Sequence, residues 1–140
     1  MHTPTKLVAM AIAARALAYA PYSHYLTGAA LLCSDGTIYT GCNVENAAFS
    51  PSICAERVAI AKAVSEGKRD FVAIAIVGGQ SGKQPVGVSP CGVCLQVMQE
   101  FCDPSTFLIH LQAENGVIRT EPLRAFLPLA FSASDFVTQD

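Results

Sequence analysis

The sequence predicts an α/β fold, with helices layered on a central mixed sheet of five strands. Three observations predict it. Apolar segments of helical period alternate with short β-prone runs in the order α-β-β-α-β-α-β-β-α. The first and last pairs of runs are joined by tight-turn sequences, Asp35-Gly36 and Asn115-Gly116, and such hairpins exclude an all-parallel sheet. Phe71–Val77 is a continuous apolar run with Val and Ile, as expected for a buried strand. No repeat, low-complexity tract or long linker interrupts the pattern, so residues 1–140 are read as a single domain.

The elements follow in order. Thr3 is an N-cap candidate with Pro4 at the first helical position, and Leu7, Met10, Ala14 and Leu17 share a face, so a helix is expected to about Ala18. Pro21 ends it. Ala29–Cys33 and Ile38–Asn43 form a hairpin across Ser34-Asp35-Gly36-Thr37. Ser50-Pro51 marks a helix start, and the helix runs to Gly67. After the Phe71–Val77 strand comes a loose stretch, Gly78–Ser89, rich in glycine and read as a loop. Ser89-Pro90 repeats the start signal for a helix to about Phe101. Thr106–Leu111 and Val117–Glu121 are the last strands, and a short helix, Leu123–Leu127, stops at Pro128.

Composition narrows the function classes. Apolar residues are 51% and charged residues 14%, with a formal net charge of −2. A near-neutral chain without a basic run lacks the footprint for a nucleic-acid polymer. No run approaches the ~18 apolar residues of a membrane span. The opening MHTPTK, followed by an apolar stretch broken by Arg15, does not read as a signal peptide, so the six cysteines are expected to be cytoplasmic thiols. So few charges on a small domain point to surface buried against other copies of the chain.

The informative cluster is Cys54 together with Cys91-Gly92-Val93-Cys94. A Cys-x-x-Cys alone fits either a redox pair or half of a zinc site. Here Cys54 and the pair both follow a Ser-Pro helix start, where free N–H groups and the helix dipole stabilise thiolates. If the two helices pack side by side, three thiolates meet at one point. Three protein ligands leave a fourth zinc position open, as in catalytic sites. Three thiolates also leave the ion with net negative charge. Arg57, one turn after Cys54, offsets this by donating to sulfur. Glu56 lies on another side of the helix, poorly placed as a ligand and well placed to move a proton near the open position. Cys33, Cys42 and Cys102 read as core thiols. His2, His24 and His110 lack ligand spacing to the cysteines, although His24 lies near the expected pocket. Tyr22 and Phe131 fit either core or site wall.

Cys54-Ala55-Glu56-Arg57 followed by Pro90-Cys91-Gly92-Val93-Cys94 resembles the zinc-dependent cytidine deaminases of the small homotetrameric type. Ala20-Pro21-Tyr22-Ser23, Gly28-Ala29-Ala30-Leu31, Gly41 to Ala47, Leu127-Pro128 and Ala130-Phe131 extend the resemblance over nearly the whole chain. It implies a three-layer α/β/α cytidine-deaminase-like fold with a five-stranded mixed sheet. It also implies hydrolysis of free cytidine and 2'-deoxycytidine to uridine and 2'-deoxyuridine plus ammonia in pyrimidine salvage, with zinc activating the water that attacks C4. One zinc per chain is implied on Cys54, Cys91 and Cys94, with Glu56 as the proton shuttle. Asn43 and Glu45 match the residues that hold the ribose, Tyr25 stands where a ring stacks near the base, and the backbone beside Ala55 reads the pyrimidine edge. A cytoplasmic homotetramer with shared active sites is implied, acting on a small-molecule nucleoside with no nucleic-acid polymer and no membrane. Phe49 lies in a segment that can reach a neighbouring site.

Three residues depart from the family pattern. Leu95 replaces an arginine, removing a cation and its donors. Tyr25 replaces a phenylalanine, and Phe49 stands where a tyrosine is common. Leu95 and Tyr25 motivate an alternative reading, a deaminase or amidohydrolase preferring N4-modified cytosine nucleosides. Intact Glu56 argues against a zinc module without catalysis.

Overall fold

The computed structural model describes residues 2–136. Six strands, β1 (Tyr25–Cys33), β2 (Ile38–Cys42), β3 (Phe71–Gln80), β4 (Val86–Gly87), β5 (Leu108–Gln112) and β6 (Ile118–Pro122), form one sheet. The path through it is β2-β1-β3-β5-β6, and β4 pairs with β3 beside that path. β3 and β5 are parallel, and every other pair is antiparallel, so the sheet is mixed. The expected five strands are all present, and β4 is additional.

Helices cover both faces. α1 (Pro4–Arg15) sets Leu7, Val8 and Ala11 against Ala30, Leu32, Ala75 and Val77. On the other face, α2 (Ala55–Ser65) and α3 (Gly92–Phe101) pack Ala59, Ile60 and Met98 against Ala29, Leu31, Ile74 and Ile76. Alternate residues of β1 and β3 therefore feed separate cores, and both strands read as unbroken apolar runs because both faces are covered. This is the three-layer α/β/α arrangement.

Several boundaries differ from expectation for one physical reason: tertiary pairing outweighs local period. Thr3 caps α1 as expected, its Oγ1 accepting from Lys6 N at 3.2 Å. The helix ends at Arg15, and Leu17 is exposed. Tyr19 pairs with Asn43 and Glu45 through two backbone hydrogen bonds, which draws the chain out of the helix early. The buried face is accordingly Leu7, Val8, Ala11 and Ala14. The second helix starts at Ala55 with Cys54 as N-cap, not at Ser50, because Ile53 is held in an antiparallel bridge to Val44. The third starts at Gly92 with Cys91 as N-cap, not Ser89.

β1 begins at Tyr25, four residues before the expected Ala29, and β3 runs on to Gln80. Gly78 is a sheet residue and not part of a loop. A Cβ there would lie 2.7 Å from Val88 Cγ2 and 3.1 Å from both Thr27 Cγ2 and Tyr25 Cε1, so glycine allows three side chains to converge. The anticipated Leu123–Leu127 helix is a single 3₁₀ turn, Leu123–Ala125, and a further short helix, α4, spans Ala133–Phe136. No helix among the described residues is long and apolar enough to cross a membrane.

Candidate metal centre and active site

Two helix starts build the centre. Cys54 and Cys91 are the N-caps of α2 and α3, both in extended conformation, and neither side chain caps its own helix. Cys94 lies in the first turn of α3 and is fully buried. The side-by-side packing of the helices brings the three Sγ atoms within 4.8 Å of one another, with Cys54 and Cys91 Sγ 3.9 Å apart. Zn–S bonds of ~2.3 Å at tetrahedral angles place sulfurs roughly 3.8 Å apart, so the donor set and its spacing fit zinc with one position left open.

The electrostatics agree with a thiolate centre. Hydrogen bonding with Cys94 pulls the Cys54 thiol down to about 5 against the opposing effect of burial, and Arg57 and Cys91 add to the pull. Cys94 is pushed up by sharing that proton with Cys54 and by its burial. Arg57 Nη2 donates to Cys54 Sγ at 3.6 Å, the role its spacing suggested. Its Nε is buried with no partner among the described residues.

Glu56, two residues after Cys54, is 4% exposed. Burial pushes its carboxyl above the usual range, and the Cys54 thiolate raises it further. A carboxyl so placed exchanges protons closer to neutrality than an exposed one.

A cavity of about 250 Å³ opens in front of these groups. Tyr25, Asn43, Glu45, Cys54, Glu56 and Cys91 share its wall. Asn43 bridges adjacent residues of β1: its Nδ2 donates to Tyr25 O and its Oδ1 accepts from Thr27 N, both at 2.8 Å. Glu45 Oε1 accepts from Tyr22 N at 3.0 Å and Ser23 N at 3.2 Å, and Oε2 accepts from the Ser23 hydroxyl at 2.5 Å. The Ser23 hydroxyl is the main cause holding the Glu45 carboxyl below the ordinary carboxylate range. Ala55 is fully buried between Cys54 and Glu56, with its carbonyl packed against Gly41.

Other anticipated residues fall elsewhere. Leu95 is 6% exposed and belongs to the core between α3 and the sheet, so it does not reach the cavity wall. Phe49 is 71% exposed at a positive φ of 61°, and its ring meets Tyr22 edge-on at 6.1 Å. The two flank a neighbouring cavity of about 350 Å³ that shares Ser23 and Glu45 with the first, so Tyr22 is exposed beside the site and belongs neither to the core nor to the wall that holds Glu56. Phe131 is exposed, and its carbonyl accepts from Gln96 Nε2 at 2.8 Å. Cys33 and Cys102 are buried and Cys42 is half-buried. His110 is buried on β5 with Nδ1 2.7 Å from Thr120 Oγ1.

Sequence reasoning missed Ser23, Thr27, Ile76, Val88 and Ser89, which also line the cavity. A signal existed for Thr27: it lies two residues beyond Tyr25 on a strand, hence on the same face.

Comparison with known proteins matches this geometry. Residues 1–110 match the family described as the cytidine and deoxycytidylate deaminase zinc-binding region. A cytidine deaminase of Sporosarcina psychrophila is 49% identical over 93% of this chain and 92% of its own length. One from Halalkalibacterium halodurans is 47% identical over 92% and 94%. The crystal structure of cytidine deaminase from Burkholderia pseudomallei superposes with a TM-score of 0.83 at 42% identity, covering 93% of this chain and all of the other. That of Mycobacterium tuberculosis gives 0.79 at 36%, covering 94% and 98%. Likeness at this identity, sustained along both chains and in the backbone, has one reading: this chain belongs to the zinc-dependent cytidine deaminase family.

Proposed function

We propose that the chain hydrolyses free cytidine and 2'-deoxycytidine to uridine and 2'-deoxyuridine, releasing ammonia, as a step of pyrimidine salvage. The observation that carries this reading is a buried Glu56 beside a three-cysteine cluster, with Glu56, Cys54 and Cys91 in the wall of one small cavity. Held by Cys54, Cys91 and Cys94, one zinc per chain would supply Lewis-acid activation of water for attack at C4. Glu56 accepts the water's proton and passes it to N3 as the oxygen bonds to C4. It then accepts the proton of the new C4 hydroxyl and delivers it to the departing amine, so that the C4–N bond breaks and the C4 carbonyl forms. Water enters and ammonia leaves, so the balance is a simple hydrolysis. Arg57, as a donor to Cys54 Sγ, draws charge from the thiolates.

Asn43 and Glu45 are proposed to hold the sugar hydroxyls with the hydrogen-bonding capacity left beyond their backbone partners. Tyr25 packs against the base, and the backbone at Ala55 reads the pyrimidine edge. A cavity of about 250 Å³, just below the ~300–1,000 Å³ typical of ligand sites, suits a nucleoside rather than a polymer. The alternative preference for N4-modified nucleosides now rests on Tyr25 alone, because Leu95 lies in the core.

Residues 1–140 are proposed to act as one domain, in the cytoplasm, as a homotetramer with shared active sites. Exposed Phe49, Leu129 and Phe131, and the apolar groove of Ile53, Ile60, Val64, Val97 and Phe101 between α2 and α3, support the association. The test is ammonia release by the zinc-loaded protein from cytidine, 2'-deoxycytidine and N4-methylcytidine. Release from the first two at comparable rates is expected. No release from any of them would overturn the proposal, and a strong preference for the third would favour the alternative.

A further inference from the structure

Thr27 stands on the face of β1 that forms one wall of the cavity, two residues from Tyr25. Asn43 Oδ1 accepts its backbone N–H, and its methyl group faces Gly78 across the β1–β3 pair. Its hydroxyl is buried, and among the described residues it has no hydrogen-bond partner. Its two hydrogen-bonded neighbours on that wall differ. Asn43 is engaged at both ends of its amide, and Glu45 accepts three hydrogen bonds. A buried hydroxyl without a partner disfavours the folded state, and an apolar group of the same shape would avoid the loss.

We infer that Thr27 is a substrate-binding residue whose hydroxyl donates a hydrogen bond to an oxygen acceptor of the bound nucleoside, either the C2 carbonyl of the base or a sugar oxygen. This rests on reading the cavity as the nucleoside site. The consequence is opposite signs for one substitution. Thr27→Val keeps the shape and removes the orphaned hydroxyl, so the ligand-free protein loses no stability while the substrate loses a partner.

The experiment compares zinc-loaded wild type, Thr27→Val and Thr27→Ser for steady-state turnover of cytidine and for ligand-free melting. Thr27→Val should raise KM about five- to tenfold, tenfold being ~1.4 kcal/mol, with kcat within about twofold. Thr27→Ser, which restores the hydroxyl, should stay near wild type. The melting temperature of Thr27→Val should equal or exceed that of wild type. The same comparison on 2'-deoxycytidine, 2',3'-dideoxycytidine and 5'-deoxycytidine locates the partner. A penalty that vanishes with one missing oxygen identifies that oxygen, and one that persists throughout identifies the C2 carbonyl or the ring oxygen of the sugar. An unchanged KM in Thr27→Val overturns the inference, as does equal impairment of Thr27→Ser or a joint fall in melting temperature and kcat. Wild type that turns over none of these nucleosides defeats the functional proposal itself, a result distinct from activity indifferent to Thr27.

Discussion

Gly41→Ala tests how the sheet sets the position of the thiolate cluster. Gly41 lies on β2 beneath the first turn of α2, and a Cβ built on it would sit 2.4 Å from Ala55 O and 2.7 Å from Ala59 N. Both are backbone atoms, so no side-chain rotation relieves the clash. Ordinary contact begins near 3.4 Å, and the start of α2 must therefore retreat by about 1 Å. Overpacking of this kind costs ~1–3 kcal/mol, or a melting-temperature drop of roughly 4–12 °C at this chain length. The displaced turn carries Cys54 and Glu56. Metal–ligand distances tolerate only about ±0.2 Å, so zinc affinity falls, and a 1 Å misplacement of the proton shuttle costs about 10²-fold in kcat.

The assay is melting temperature, zinc per chain and kcat on one preparation. Gly28→Ala supplies the contrast: its Cβ would lie 2.0 Å from Ala11 O, on α1 at the opposite face. That variant should lose stability yet keep zinc and kcat in its folded fraction. Wild-type stability and wild-type zinc content in Gly41→Ala would refute the argument. So would equal loss of zinc in both variants.

Three further outcomes follow from the same geometry. Glu56→Gln should retain one zinc per chain while losing at least ~10²-fold in kcat; turnover near wild type would remove Glu56 as the proton carrier. Asn43→Ala should raise KM for cytidine and also destabilise the protein by ~1–3 kcal/mol, because it frees Thr27 N and Tyr25 O; a KM effect with unchanged melting would show that the β1 clamp is unimportant. Asp35, paired with Lys68 at 2.5 Å, has its carboxyl lowered to about 2, chiefly by the Lys68 hydrogen bond. A depressed folded-state value means its contribution is complete above about pH 4 and is lost as pH falls through about 2. Asp35→Asn should therefore flatten the melting-temperature profile between those limits, and a slope equal to wild type would show the pair to be inert.

Much of the site was legible in the chain because its chemistry is carried by short, local patterns. Cys54 and the Cys91/Cys94 pair sit at helix starts, and Glu56 and Arg57 are the second and third residues of α2. The hairpins were marked by Asp35-Gly36 and Asn115-Gly116, where positive-φ glycines complete the turns. The unbroken apolar character of β3 correctly implied a buried strand. The departure at Leu95 could not be weighed from sequence. An arginine replaced by leucine is consequential in a pocket and harmless in a core, and only packing shows that Leu95 is in the core.

The sequence by itself determined the layered α/β architecture, the three-sulfur donor set and the carboxyl beside it, since periodicity and helix-start chemistry act over one or two turns. The tertiary structure alone decided that α1 stops at Arg15, that α2 waits until Cys54, that Gly78 is a sheet residue and that Thr27 faces the cavity. Each of those depends on a partner far along the chain: Asn43 for Tyr19, Val44 for Ile53, Val88 for Gly78 and Asn43 for Thr27. Hydrogen bonding and close packing between distant segments override local preference wherever the two compete, and the walls of this cavity are built from such meetings.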